Sequence, residues 1–117
     1  MSEIKGETQE CKKTIRAVHD AMDVLNGKWR ISIIATLKYN PKRYSDILAD
    51  IKGLSGKMLS RELKDMEINE LIKRTVVHSK PISVVYELTE YGHKLDPVLE
   101  SLAEWGIEHR SKLLKRL

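Results

Sequence analysis

Residues 45–68 read SDILADIKGLSGKMLSRELKDMEI, and this stretch decides the fold. Ser45 can cap a short helix to about Ile51, with Ile47, Leu48 and Ile51 facing inward. Lys52-Gly53-Leu54 makes a tight turn, and Ser55 caps a second helix that runs to about Ile68. Two helices joined by a short turn containing glycine form a helix-turn-helix.

The second of these helices has two unlike sides. Leu59, Leu63 and Met66 recur at i, i+4 and i+7 and make an apolar stripe. At about 100° per residue, Lys57, Arg61 and Lys64 fall opposite, with Gly56 and Ser60 toward the N-terminal flank and Glu62 and Asp65 at the edges. A helix in the major groove of DNA needs this composition. Arg and Lys reach guanine O6 and N7, serine bonds several base edges, and small residues let the backbone approach. The free backbone N–H groups at the Ser55 end can hold a phosphate. A charged stripe alone equally describes a solvated helix face, so its neighbours in the chain must decide.

Downstream, the hydrophobic period changes from helical to two. Ile72 to His78 is β-branched and alternating, and so is Ser83 to Thr89, where Val84, Tyr86 and Leu88 share a face. Ser79-Lys80-Pro81-Ile82 joins the two as a short hairpin loop. A hairpin directly after the second helix of a helix-turn-helix is a wing. Its cations Arg74, His78 and Lys80 suit a clamp on the DNA backbone or an entry into the minor groove, or they belong to an ordinary exposed hairpin. Arg43, with Tyr44 just before the first helix, can reach a flanking phosphate, although Tyr44 also suits the core. Thr89 reads as a cap for a last helical segment, and Pro97 as a kink or a fresh start capped by Asp96.

Upstream, Trp29, Ile31, Ile33, Ile34, Ala35 and Leu37 cover most of a helix from about Lys28 to Tyr39, which makes it the buried central element. Before it, an amphipathic helix from about Thr14 to Leu25 carries Ile15, Val18, Met22 and Leu25 on one stripe. The last helix carries Leu95, Leu99, Leu102, Gly106, His109, Leu113 and Leu117 on another, with Trp105 beside it. A small domain cannot easily bury both stripes. A two-fold contact between subunits through Ile15, Val18, Met22, Leu95, Leu99, Leu102, Trp105 and His109 would do so, and would present two second helices to half-sites about 34 Å apart. The alternative is that both stripes pack on their own subunit. The fold class is therefore mainly α with a small β-hairpin: a winged helix-turn-helix with extra N- and C-terminal dimerisation helices. Residues 1–10 read as a flexible polar tail and 11–117 as one DNA-binding and dimerisation domain.

Composition agrees. The 117 residues carry a net charge of +4, 41% hydrophobic and 32% charged side chains, and 5% aromatics without Phe. A modest aliphatic core and a basic balance permit polyanion binding without proving it. Cys11 is the lone cysteine, so neither an intrachain disulfide nor a thiolate zinc cage can form. The polar start has no signal-peptide core, and no apolar run approaches bilayer-spanning length. These features predict a cytoplasmic protein without membrane contact.

The residues resemble the HxlR-type winged-helix transcription regulators, relatives of the MarR group, from about Cys11 to Arg110. The matching pieces are Gly27-Lys28-Trp29, Arg43-Tyr44-Ser45-Asp46-Ile47 where the family has an Arg-Phe-x-x-Leu run, and Ser55-x-Lys57-Met58-Leu59-Ser60-x-x-Leu63. Further on come Leu71-Ile72-x-Arg74, Val85-Tyr86-x-Leu88-Thr89-x-x-Gly92 and Trp105-Gly106. The resemblance implies a bacterial-type, homodimeric regulator that binds a pseudo-palindromic operator in double-stranded DNA, often at stress or detoxification genes. Two departures stand out. Lys12 follows Cys11 where the family usually has Pro, and Asn69 or Glu70 stands where it usually has Gly; Asn69 can take the left-handed conformation such a turn needs. In several relatives the corresponding cysteine senses oxidants or electrophiles, so the resemblance implies either that role for Cys11 or an unreactive cysteine kept by ancestry; Lys12 and Lys13 beside it would favour the thiolate. With one cysteine per chain, oxidation can only join two subunits or add a small thiol.

Other functions fit less well. His19, His78, His93 and His109 form no pair with metal-ligand spacing on one helix, and no P-loop, dinucleotide turn or nucleophile elbow is present. The sequence therefore predicts no enzyme, metal or cofactor. A winged helix that binds protein partners without DNA is the standing alternative, although such modules tend to lack a cationic second helix. The crevice between the first helix, the last helix and the winged domain has room for a small apolar effector.

Overall fold

The computed structural model describes residues 8–117. Along them run α1 (Thr8–Val24), α2 (Lys28–Leu37), β1 (Lys42–Arg43), α3 (Tyr44–Asp50), α4 (Gly56–Ile68), β2 (Ile72–Val77), β3 (Ser83–Leu88), α5 (Glu90–His93) and α6 (Asp96–Lys115). The strands form one antiparallel sheet in the order β1-β3-β2. Helices α3 and α4 are the helix-turn-helix, with Gly53 at φ 90° in the turn between them, and β2 and β3 are the wing. The architecture is the winged helix-turn-helix that the sequence predicts.

The core forms around α2. Ile33, Ile34 and Leu37 are sealed against Ile47 of α3 and Leu59, Leu63 and Met66 of α4, and Ile72, Leu88 and Leu99 close the cluster. The stripe of α4 is thus consumed by the core, which leaves its other side to solvent. Two caps act as the residue types require. Ser55 Oγ accepts the Met58 N–H at 3.1 Å, and Thr89 Oγ1 accepts the Gly92 N–H at 2.9 Å. Gly92 is buried where a Cβ would lie 2.2 Å from the Leu71 carbonyl oxygen, so only glycine lets α5 sit against the start of β2.

The structure departs from the sequence reading in five places. First, α1 begins at Thr8 and not near Thr14, so Thr8–Glu10 of the expected tail are helical; the rest of that tail lies outside the described residues. Second, Lys42 and Arg43 pair with Tyr86 and Val85, adding a strand to the expected hairpin. This pairing holds the chain extended up to Arg43, whose N–H donates to Asp46 Oδ2 at 3.3 Å. The helix consequently starts at Tyr44, and Ser45 is its second residue instead of its cap. Third, the left-handed residue before the wing is Glu70, at φ 62°, while Asn69 keeps φ −82° and uses its amide on the Asp65 carbonyl at 2.8 Å. Fourth, the wing does not alternate in burial: only Ile72 of β2 is buried. Beyond the Ile72–Leu88 pair, Tyr86 of β3 still packs against the core, while the rest of β2 is exposed. Fifth, Pro97 marks a fresh helix, but Leu95 occupies the cap position and Asp96 is the first helical residue, bonded through Oδ2 to His93 Nδ1 at 3.0 Å.

The terminal helices divide differently from expectation. Leu99 is buried in the core and Leu95 is half-buried against it, so these two expected interface residues pack on their own subunit. Along the rest of α6, Leu102, Trp105, Leu113 and Leu114 stay exposed, and α1 buries no residue at all. The two helices project from the body. The radius of gyration is 18.1 Å, against about 13 Å for a compact domain of this length.

Candidate nucleic-acid interface

Helix α4 is anchored from its two neighbours in the fold. From α3, the Tyr44 hydroxyl donates to the Gly56 carbonyl at 2.6 Å and lies 3.1 Å from Ser60 Oγ. A Cβ on Gly56 would meet this hydroxyl at 2.9 Å, so the glycine is what admits the tyrosine. From α2, Arg30 is 7% exposed and reaches three groups. Its Nε donates to Glu62 at 2.9 Å, its Nη2 to Asp65 at 3.4 Å, and its Nη1 to the Val24 carbonyl at 2.7 Å. One guanidinium therefore ties the end of α1 to α4 and neutralises the two carboxylates on the flank of the basic face. A planar cation with several fixed donors is suited to this, and a lysine is not.

What α4 turns outward is the set expected from its sequence. Ser55, Lys57, Ser60, Arg61 and Lys64 are exposed, and Gly56 is partly so. Among the described residues, no acidic side chain forms a salt bridge with any of the three cations. They lie along one side of α4, and Lys57 stands in the first turn, where the backbone N–H groups are least satisfied.

The other candidates do not join into one patch. Cross-strand partners share a sheet face and successive residues alternate. Lys42, Tyr86 and Arg74 form one row, and Arg43, Val85 and Thr75 the next. Arg43 and Arg74 therefore lie on opposite faces of the sheet. Arg74 shares its face with Ile72, Leu88 and Tyr86, yet is itself exposed at the edge of the sheet. His78 and Lys80 are exposed in the loop at the wing tip. Lys73, on β2, pairs with Glu87 at 3.3 Å across the hairpin.

Shifted titrations lie elsewhere. Hydrogen bonds from Lys42 and then Thr36 hold the Asp50 carboxyl below its ordinary value, and a hydrogen bond to Glu100 raises Lys38. Both pairs tie exposed ends of helices together, away from α4. Among the described residues, no three of His, Cys, Asp and Glu converge as a metal site would require. No helix among them is long and apolar enough to cross a membrane. Cys11 is exposed on α1. Between the end of α1, the start of β2 and α5 lies a cavity of about 350 Å³, lined by Val24, Leu25, Leu71 and Leu95 with Asp20 and Lys94 at its polar positions.

Two functional side chains escaped the sequence reading. Arg30 precedes Ile33, Ile34 and Leu37 by three, four and seven residues, which puts a cation on the core face of α2. That spacing demands buried acids, and it could have exposed the link to Glu62 and Asp65. The local sequence of Tyr44 suits a flanking or core position, and nothing in it announces a bond to a helix beginning twelve residues later.

A family model described as HxlR-like helix-turn-helix matches residues 24–113 of the chain. The chain belongs to this family. It is 34% identical over 104 residues to the HTH-type transcriptional regulator YtcD of Bacillus subtilis (strain 168), covering 89% of this chain and 82% of YtcD. The redox regulator HypR in its reduced form is similar in structure, with a TM-score of 0.77 at 29% identity, covering 85% of this chain and 98% of HypR. The reduced form of the transcriptional regulator YodB from B. subtilis matches with a TM-score of 0.68 at 37% identity, covering 74% of this chain and 85% of that one. The HxlR-like protein is thus a transcriptional regulator of the helix-turn-helix type.

Proposed function

We propose that this HxlR-like regulator binds double-stranded DNA as a homodimer, each α4 lying in the major groove of one half of a pseudo-palindromic operator. The observation that carries the reading is the exposed Lys57, Ser60, Arg61 and Lys64 face on a helix braced by Tyr44 and Arg30. Rigid presentation matters because base edges are read through short, directed bonds. Lys57, Arg61 and Lys64 reach bases or the phosphates beside them, and the Ser55-Gly56 end meets a phosphate. The wing tip, with His78 and Lys80, follows the adjacent backbone, and Arg43 and Arg74 serve at its base from opposite faces.

The dimer reading rests on apolar surface. Helix α1 offers Ile15, Val18 and Met22, each about half exposed (49%, 53% and 52%), and α6 offers Leu102 and Trp105. Trp105 stacks on His109 with centroids 4.9 Å apart, so the pair forms one flat plate. A helix with no buried residue in its own subunit gains little by forming unless a partner covers it.

A second reading concerns the signal. Cys11 is exposed on the helix assigned here to the dimer interface, and the similar proteins HypR and YodB have structures described by redox state. Two Cys11 thiols would form one intersubunit disulfide, releasing two protons and passing two electrons to the oxidant. Alternatively, one Cys11 thiol would form a mixed disulfide with a small thiol, again releasing two protons and passing two electrons to the oxidant. The cavity beside Val24 and Leu71 is the place for a small apolar effector, if the signal is a ligand. The protein works in the cytoplasm without a membrane, metal, cofactor or catalytic step.

The test is a gel-shift titration of the protein's own promoter region with wild type and with the double variant Arg61→Glu, Lys64→Glu. Loss of the specific complex with an intact fold supports the reading. Unchanged binding would point to a protein-interaction module instead.

A further inference from the structure

Proton counting at the Tyr44 hydroxyl leads beyond these contacts. A phenol has one proton, and a carbonyl oxygen has none to give. At 2.6 Å the Tyr44–Gly56 bond must therefore use the tyrosine proton. Ser60 Oγ lies 3.1 Å from the same phenol oxygen. With the phenol proton already committed, the only proton left for this second bond is that of Ser60. The serine hydroxyl thus donates inward, and what it turns to solvent is a pair of lone pairs.

Ser60 is exposed at the flank of the face of α4 that carries Lys57, Arg61 and Lys64. We infer that Tyr44 makes Ser60 an acceptor-only reader of bases, so that this position selects bases carrying an exocyclic amino group over bases carrying a keto group in the major groove. A free serine hydroxyl rotates and serves both kinds. A serine whose proton is spent accepts from adenine N6 or cytosine N4 but cannot donate to guanine O6 or thymine O4. Among bases of one ring size, adenine is then preferred over guanine, or cytosine over thymine. The flanking cations have the opposite taste, since Arg and Lys only donate and favour guanine O6 and N7. The helix therefore combines two filters of opposite sign. Tyr44 does this without touching DNA: it is a positioning residue that acts through Ser60. Gly56 is part of the device, because a side chain there would displace the phenol.

This inference rests on the DNA-binding reading above. The test is competitive binding of the dimer to a promoter fragment randomised one base pair at a time, followed by sequencing of bound and free pools. Wild type, Tyr44→Phe and Ser60→Ala are compared, and thermal melts establish that each is folded. The wild type should prefer an amino base over its keto counterpart about fivefold at one position of each half-site. Tyr44→Phe should bring that ratio to within about twofold of unity by improving binding to the keto base, because the serine proton is released. Ser60→Ala should reach the same ratio by weakening binding to the amino base. If Tyr44→Phe keeps the wild-type ratio, or Ser60→Ala leaves every base preference unchanged, the inference is overturned while the DNA reading stands. If the wild type shows no sequence-specific binding, the DNA reading falls and takes this inference with it.

Discussion

Replacing Arg30 by methionine tests how far one guanidinium holds α4 in place. Methionine keeps the apolar stem and removes the charge. Two carboxylates and a carbonyl then lose their partner. The three losses differ in size. The Asp65 side chain is 49% exposed and its bond is long at 3.4 Å, so water replaces it at little cost. The Glu62 side chain is only 19% exposed and its bond is 2.9 Å, so it is left as a largely buried, unpaired charge. Breaking a fully buried pair costs about 3–5 kcal/mol, and partial access to water brings this site to about 2 kcal/mol. The Val24 carbonyl loses a bond of 2.7 Å to a charged donor, adding about 1 kcal/mol. The expected loss is therefore about 3 kcal/mol, or a drop in Tm of roughly 10 °C. The assay is urea and thermal denaturation followed by circular dichroism at one fixed protein concentration, because the proposed dimer would make stability concentration-dependent. Adding Glu62→Gln to Arg30→Met should restore about half the loss by removing the stranded charge. An Arg30→Met protein within about 0.5 kcal/mol of wild type, or no recovery in the double variant, would refute the assignment of Arg30 as the brace.

Further outcomes follow from single features. Gly92→Ala puts a Cβ 2.2 Å from the Leu71 carbonyl oxygen, which backbone can relieve only by moving, and should cost about 3 kcal/mol in denaturant titrations; a loss below about 1 kcal/mol would show that α5 shifts freely. Glu70→Gly relieves a left-handed backbone at φ 62° and should raise stability by up to about 1 kcal/mol, measured the same way; a decrease would contradict the strain. Val18→Lys with Met22→Lys should give a monomer in sedimentation equilibrium with the winged domain still folded, whereas a persisting dimer would remove α1 from the interface. Asp50 has a folded pKa below its unfolded one, so its pairing with Lys42 and Thr36 stabilises above the ordinary carboxylate range and is lost as pH falls through the folded value. Asp50→Asn should accordingly flatten the acid side of the stability profile, and an unchanged profile would show that the pairing contributes nothing.

The fold was legible where residue chemistry acts locally. Ser55 and Thr89 cap because their side-chain oxygens reach free N–H groups three residues on, a rule that needs no tertiary information. The apolar stripe of α4 and its basic counterpart follow from helical spacing alone, and the exposed face carries the residues so read. Long-range pairing was not legible. The Lys42-Arg43 strand exists only because β3 lies beside it, and that pairing moved the start of α3 away from Ser45. The Tyr44 hydroxyl and the Arg30 triad are likewise contacts between distant elements, although a cation on the core face of α2 was a readable warning. Glu70, and not Asn69, turned left-handed because Asn69 still closes α4 with its backbone N–H on the Asp65 carbonyl. Leu99 shows the limit of a stripe: periodicity says which side is apolar, not whether a residue's own subunit or a second one covers it.

The claim that two copies of α4 read one DNA duplex is tested most directly by hydroxyl-radical footprinting of the dimer on its own promoter region. Two protected patches should appear, related by approximate two-fold symmetry and centred about 34 Å, one helical turn, or a whole multiple of it apart. Both patches should vanish together in the Arg61→Glu, Lys64→Glu variant. A single patch, no protection at all, or protection that survives the variant would contradict it.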